Sequence, residues 1–417
     1  MKSDFDVIVV GGGLGGLAAA ATAARSGASV VVLEAHQPGG RAQTTERDGF
    51  VLNRGIHAHF TAGPGRAVLD TLDISVLGAA PPMNRYKLLA DGAQHILPLD
   101  PDGIAHTTYL DRADKAQLAE LFGRLPGLDP RTFVGTSLSN WLSELSLRPR
   151  LEALMGALFR LSTYAADFDQ LDAGAAIAQQ QIAARGGVLY LDGGWSQLIT
   201  ALRSQLDVRS GVNVRAISAD ATGSAIHTDD ATLTAGSVVV AVGTPQAARA
   251  LLPGDPLWGD LGDPVTAACL DVGVRGVPRP GYVVSVDAPL YGTTQSPPAR
   301  QAQSGDSVVG IIRYGARSAE PDRPTLEAHL REVGVADDDI VVRRFLARMV
   351  VSSTMPQPTT GGLRGRPSIT ASGLPRVFLA GDWVGHAGLL SDAALASGYI
   401  AGRSALEAIA TMPVRVN

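Results

Sequence analysis

The apolar run Asp6-Val7-Ile8-Val9-Val10 stops at Gly11-Gly12-Gly13-Leu14-Gly15-Gly16 and gives way to the alanine-rich stretch 17–24. An unbroken β-branched run suits a strand buried on both faces, and a run of small residues suits a helix that packs closely on it. After Gly27 a second apolar run, 28–33, ends at Glu34, which completes a strand–turn–helix–strand unit. Residues 48–55 then read as a short strand between glycines. From Asp111 to Arg185 the period changes, and apolar residues at three- and four-residue spacings predict helices over 116–125, 137–145, 149–161 and 173–184.

Strand signals return at 187–191, which lead through Asp192-Gly193-Gly194-Trp195 into a predicted helix over 196–205. Runs 212–217 and 237–242 are strand-like, and Thr244-Pro245 suits a helix start, with threonine as N-cap and proline at the first helical position. Alternating runs fill 265–346, broken at Pro278-Arg279-Pro280 and Pro297-Pro298, with one helix near 326–333. The chain closes with a buried strand at 376–380, a turn at Gly381-Asp382-Trp383 and a helix over 391–410, repeating the order of its beginning. This pattern predicts an α/β, Rossmann-like fold with an inserted α+β portion.

The glycine turn also carries chemistry. Gly11 permits the tight turn, Gly13 lets backbone approach a pyrophosphate, and Gly16 allows the helix to lie close to the strand. Free N–H groups and the positive dipole end then face the phosphates. Glu34, at the end of the second strand, is placed to accept hydrogen bonds from ribose hydroxyls. Arg41, after Gly39-Gly40, offers a donor fork matched to phosphate, and Asp382 can hold a polyhydroxy chain while the helix start near Leu389 directs positive potential at a ring edge.

Composition narrows the function classes. The 417-residue chain has a net charge of −5 and no basic cluster, which argues against nucleic acid. Its one cysteine, Cys269, excludes a dithiol redox centre and any multi-cysteine metal site. Scattered histidines predict no metal. No stretch reaches the ~18 apolar residues of a membrane span, and the first strand begins too early for a signal peptide, so a cytoplasmic protein is expected, with peripheral membrane contact left open.

Together the first glycine turn, Gly39-Gly40-Arg41, Gly193-Gly194-Trp195, the strand end at 240–244 and Ala380-Gly381-Asp382-Trp383 with Ser397-Gly398 resemble the flavin amine oxidase and phytoene desaturase superfamily, closest to bacterial phytoene dehydrogenase-like oxidoreductases. The resemblance implies a glutathione-reductase-type FAD domain over 1–75, 187–254 and 362–417, and a substrate domain over 76–186 and 255–361. It implies non-covalent FAD held by Gly11, Gly13, Leu14, Gly15, Gly16, Glu34, Ala35, Gly40, Arg41, Ala42, Gly55, Ile56, His57, Val214, Gly381, Asp382, Leu389 and Leu390. Val214 would pair its backbone with adenine.

His57 is the candidate proton shuttle, and Trp383, His59, Tyr164 and Tyr314 are candidate pocket residues. Two departures from the family stand out: Asn53 replaces an acidic residue, and no lysine follows Lys115, while Leu389 stands where amine oxidases have an aromatic. With no second glycine fingerprint for NAD(P)H, electrons would pass to oxygen, a quinone or a redox partner. The expected activity is removal of a hydride from carbon, desaturating an apolar isoprenoid-like or natural-product substrate. The alternatives are an amine or amino-acid oxidase forming imine and peroxide, and a non-redox flavoprotein such as an isomerase or one with structural FAD.

Overall fold

The computed structural model describes residues 3–315 and 322–410. The first apolar run forms the strand Phe5–Val10, buried from Val7 onward, and the alanine-rich stretch forms the helix Leu14–Arg25. Together with Val30–Glu34, Asp207–Ser210, Thr232–Val240 and Val377–Leu379 the first strand builds the parallel part of a seven-stranded sheet. Ser224–Thr228 and Val214–Ala219 extend it as an antiparallel edge. Thr232–Val240 is central: its carboxyl-terminal half pairs with both the first strand and Val377–Leu379, so the turns at Gly11 and Gly381 emerge at one end of the sheet.

A second seven-stranded sheet runs in the order Ile340–Ser352, Val265–Arg275, Asp306–Tyr314, Leu290–Ser296, Tyr282–Ser285, Tyr86–Ala90, Ala93–Ile96. The predicted helices appear as Arg112–Arg124, Leu138–Glu144, Pro149–Thr163 and Ala173–Gly186. Asp111, Ser137 and Asp172 cap the first, second and fourth with side-chain acceptors. Their apolar faces share one core with this sheet, where Trp141, Leu154 and Phe159 join Tyr282, Tyr291 and Ile312. Thr244 caps the helix Pro245–Leu251, as its sequence predicts.

The last helix, Leu390–Ala410, lies on the first helix without intervening side chains. A Cβ on Gly398 would meet the Gly15 carbonyl, and one on Gly402 would stand 2.5 Å from the Ala19 carbonyl. Alanine normally stabilises a helix by about 1 kcal/mol over glycine. Here the sign reverses: Gly398→Ala should lower unfolding free energy in urea by about 1–3 kcal/mol, as overpacking does. A stabilised Gly398→Ala protein would show that the helices do not touch as described.

Candidate cofactor and active site

The first helix begins at Gly13 with no side-chain cap and no acidic residue in its first turn, so its leading N–H groups remain open to an anion. A Cβ on Gly13 would meet nothing within 4 Å. Gly40, at φ +54°, faces it across the space, its own Cβ direction meeting only Gly13 Cα at 3.8 Å. Gly39 N–H ties the two loops by donating to Gly12 O at 2.8 Å. Two glycine loops thus wall a groove with backbone alone, a cradle whose donor set fits a dinucleotide pyrophosphate.

Glu34 stands at the rim. Its Oε2 accepts from Gly12 N–H at 2.7 Å and its Oε1 from His36 N–H at 2.8 Å, which orients the carboxylate beside exposed Ala35. Val212 N–H donates to Glu34 O at 3.0 Å, and Val214, two residues on, begins the strand at the far edge of the sheet, so the start of this segment borders the same rim.

Arg41 and Asp382 meet across the groove floor. Arg41 Nη1 donates to Asp382 Oδ2 at 2.8 Å and Nη2 to Oδ1 at 2.7 Å, a bidentate pair between loops at opposite ends of the chain. Ser353 adds its N–H at 2.7 Å and its hydroxyl at 2.8 Å to the same carboxylate. Burial pushes the Asp382 carboxyl up, but Arg41 and Ser353 outweigh it and hold it below the usual carboxylate range. The Arg41 side chain is 39% exposed and the Asp382 side chain 3% exposed, so the arginine can turn to phosphate while the acid stays in place. Ala42 is buried beneath them.

The Gly55-Ile56-His57 turn follows the strand Phe50–Asn53. Gly55 has φ +82°, and a Cβ there would lie 2.5 Å from Met349 Cε and 3.1 Å from Cys269 Sγ, so only glycine fits. Asn53 explains its departure from an acid: its Oδ1 accepts from Trp195 N–H at 2.9 Å while its Nδ2 donates to Gln295 Oε1 at 2.9 Å. A carboxylate could make the second bond only if the Gln295 amide turned to donate. Charge comes instead from Arg344 and Asp271, paired at 2.7 Å, with Arg344 also donating to Asn53 O. Burial pushes Asp271 up to about 6 despite that partner.

His57 packs edge-on to Trp195 at 5.2 Å, and its Nδ1 lies 3.1 Å from Gly55 O. A carbonyl only accepts, so Nδ1 carries the proton and Nε2 the lone pair in the neutral ring. Burial drives the His57 pKa down to about 4. His59 is fully buried in the short strand His59–Phe60, without a partner for either ring nitrogen among the described residues, and burial lowers it to about 4 as well.

Of the predicted pocket residues, Tyr164 and Tyr314 come together, edge to face at 5.8 Å, in the apolar core that also holds Ile56 and Cys269, with Met349, Met355 and Leu390 packed against it. Burial raises both phenols far from ionisation. Tyr164 (φ +61°) and Leu390 (φ +56°) are the bulky residues held in the left-handed region, the others of that kind being aspartate, serine and arginine. Such strain collects where surrounding structure serves a site. Trp383 and His59 lie elsewhere: Trp383 stacks at a tilt on Trp258 in the core under the first sheet. Sequence reasoning did not single out Ser353, just past the strand Ile340–Ser352, or Asp271 and Arg344 within strands, because they acquire a role only through distant partners. Among the described residues, no group of three or more His, Cys, Asp or Glu is arranged to hold a metal, and no helix is long and apolar enough to cross a membrane.

Comparison with known proteins follows this geometry. The model of the flavin-containing amine oxidoreductase family matches residues 14–274. The all-trans-retinol 13,14-reductase of Rattus norvegicus is 38% identical over 201 residues, covering 38% of this chain and 33% of that protein. A limonene dehydrogenase chain of Castellaniella defragrans is 36% identical over 113 residues, covering 25% and 18% respectively. The matches therefore span a third or less of these curated relatives. An oxidoreductase structure from Methanosarcina mazei superposes with a TM-score of 0.72 at 18% identity, covering 96% of this chain and 100% of that one, a likeness of fold.

The histidines set a pH dependence. Their folded pKa lies below the unfolded value of about 6.5, so the stability they contribute is present above that value and is lost as pH falls towards 4. Asp271 and Asp392, raised by burial to about 6 and about 7, act with the opposite sign, gaining stability as pH falls. The diagnostic is therefore a difference: Tm of His57→Asn minus Tm of the parent should rise as pH drops from about 6.5 to 4. A pH-independent difference would mean that His57 is not held neutral.

Proposed function

We propose that this chain, which belongs to the flavin-containing amine oxidoreductase family, takes hydride from carbon and desaturates an apolar, isoprenoid-like or natural-product substrate. It is an FAD-dependent oxidoreductase, and the cofactor supplies the two-electron chemistry when bound. In this reading the Gly11–Gly16 turn binds the pyrophosphate and Glu34 the ribose. Arg41 neutralises phosphate, Asp382 holds the ribityl hydroxyls, and Gly55, Ile56, Leu389 and Leu390 border the ring. The sheet that carries the glycine turn forms the cofactor portion, and the second sheet with its helices the substrate portion.

One observation carries the substrate class: the core that joins Ile56 to Tyr164, Tyr314, Cys269, Met349, Met355 and Leu390 is apolar, and its phenols stay neutral. Such a lining excludes water and favours a hydrocarbon skeleton over a charged amine. The names of the relatives, a retinol reductase and a limonene dehydrogenase, agree in involving terpene-like carbon skeletons. His57, neutral beside Ile56, is our candidate to accept the proton lost as a double bond forms. Oxygen, a quinone or a redox partner then takes the electrons.

Two experiments test this. Under anaerobic conditions the yellow protein should bleach with an apolar polyene or terpene and stay oxidised with amines and amino acids; bleaching by amines alone would replace this reading with an amine oxidase. Asp382→Ala should weaken FAD retention by roughly 10- to 100-fold, because the buried carboxylate that holds Arg41 in place is lost, measured by equilibrium dialysis. Unchanged retention would remove Asp382 from the cofactor site.

A further inference from the structure

Beside the turn that carries Asp382 lies an open groove of about 440 Å³, whose lining includes Leu257, Trp258, Asp260, Arg366, Ser368 and Thr370. That is room for a small molecule. Leu257, 72% exposed, is the most exposed large apolar side chain among the described residues and stands at the rim, while Trp258 is buried. Ser368 and Thr370 share a single hydrogen bond at 3.0 Å, which uses one of their two O–H groups and leaves the other for a ligand. Asp260 brings a negative charge to the groove and Arg366 a positive one. The Arg366 nitrogens without partners have no accessible surface, so this residue offers the groove charge and not donors. An apolar rim, a hydroxyl donor and balanced charge suit a neutral, flat molecule with oxygen acceptors.

The inner wall of this groove is the back of the turn 381–389. Trp258 meets Trp383, the residue after Asp382, with ring centroids 5.4 Å apart. Pro367, also in the lining, accepts at its carbonyl from Gly385 N–H at 2.8 Å, and Arg366 Nη1 donates to Gly388 O at 2.8 Å, one residue before Leu389. Trp383 is fully buried, so the wall is closed. One packed layer thus separates the groove from the side on which Arg41 grips Asp382. A ligand in the groove cannot touch a cofactor held by Asp382, but electron transfer needs no contact, only a short and packed path. The apolar core at Ile56, Tyr164 and Tyr314 is a different cluster from that of Trp258 and Trp383, so the groove is separate from the proposed substrate portion.

We propose, resting on the cofactor reading given above, that this groove is the electron-acceptor site and that its occupant is a quinone. Its flat ring lies against the apolar rim, and a ring carbonyl accepts from the free hydroxyl of the Ser368–Thr370 pair. Two electrons cross the wall by way of the Trp258–Trp383 contact and the Arg366–Gly388 bond. The two quinone oxygens take two protons from solvent at the open groove, and the single proton carried by the reduced cofactor is released on its own side. Neither indole is oxidised; the pair serves only as packed medium. Because the substrate portion and the groove are separate, substrate and quinone can be bound at once.

The test reads binding first, without turnover, by equilibrium dialysis of duroquinone against the oxidised, FAD-loaded protein. Thr370→Trp, which fills the groove, should raise the dissociation constant roughly tenfold. Leu257→Ser, at an exposed position where folding is not at stake, should raise it roughly threefold by removing the apolar rim. No binding by the parent, or unchanged binding in the variants that fold, would overturn the proposal. Displacement of duroquinone by an apolar terpene would overturn it too, since both would then share one site. Stopped-flow reoxidation of the reduced protein separates the acceptors: Thr370→Trp should slow the reaction with duroquinone roughly tenfold and leave that with dioxygen unaltered. Equal duroquinone rates in the parent and Thr370→Trp would count against the groove. A parent that binds no FAD would instead refute the cofactor reading, leaving the two failures distinct.

Discussion

Backbone contact between the first helix and the last, through Gly15, Gly398 and Gly402, is the constraint on which the rest of the structure depends. Helices lie this close only where Cβ atoms are absent. Because each helix follows a strand flanking Thr232–Val240, the contact brings the turns at Gly11 and Gly381 to one sheet end. Arg41 and Asp382 then meet although 341 positions separate them. A side chain added at the helix contact would therefore disturb the groove as well as the core.

The groove divides by polarity. Its nucleotide end is made of open amides, Glu34 and the Arg41–Asp382 pair, all suited to phosphate and hydroxyl. Beyond Gly55 the surroundings become an apolar core, and titratable groups are forced neutral: His57 by a lowered pKa, Tyr164 and Tyr314 by raised ones. Burial dominates each shift, so the two ends differ chiefly in how many donors and acceptors the backbone supplies. Asn53 sits between them and ties the turn at Trp195 to the strand Leu290–Ser296 through an amide that donates and accepts.

Legibility in the sequence followed the range of each interaction. The glycine turn, the Thr244 cap and the amphipathic helices are local patterns, and they appear where the periodicity predicts them. Tyr86–Ala90 falls outside the predicted elements because its parallel partner, Tyr282–Ser285, is remote in sequence. Asp207–Ser210 is a mostly exposed polar edge strand with no apolar alternation to reveal it. At the site, Arg41 and Asp382 stand out by their glycine context, but that they bind each other is visible only in three dimensions. Tyr164 and Tyr314 meet edge to face across a wide sequence gap. Trp383 shares its turn with Asp382 yet points into the opposite core, since adjacent residues at a strand end face different ways.

Charge distribution also bears on the choice between an amine and a hydrocarbon substrate. An amine substrate arrives largely protonated at neutral pH and needs acceptors or a carboxylate near the ring to hold it. Around Ile56 the nearby carboxylate is Asp271, and Arg344 already occupies it. The paired phenols, crossing at an interplanar angle of 79°, form a corner instead of two parallel walls. With Asp271 already paired, the surroundings of Ile56 hold no free carboxylate among the groups named here, as the proposed reading of an uncharged substrate requires.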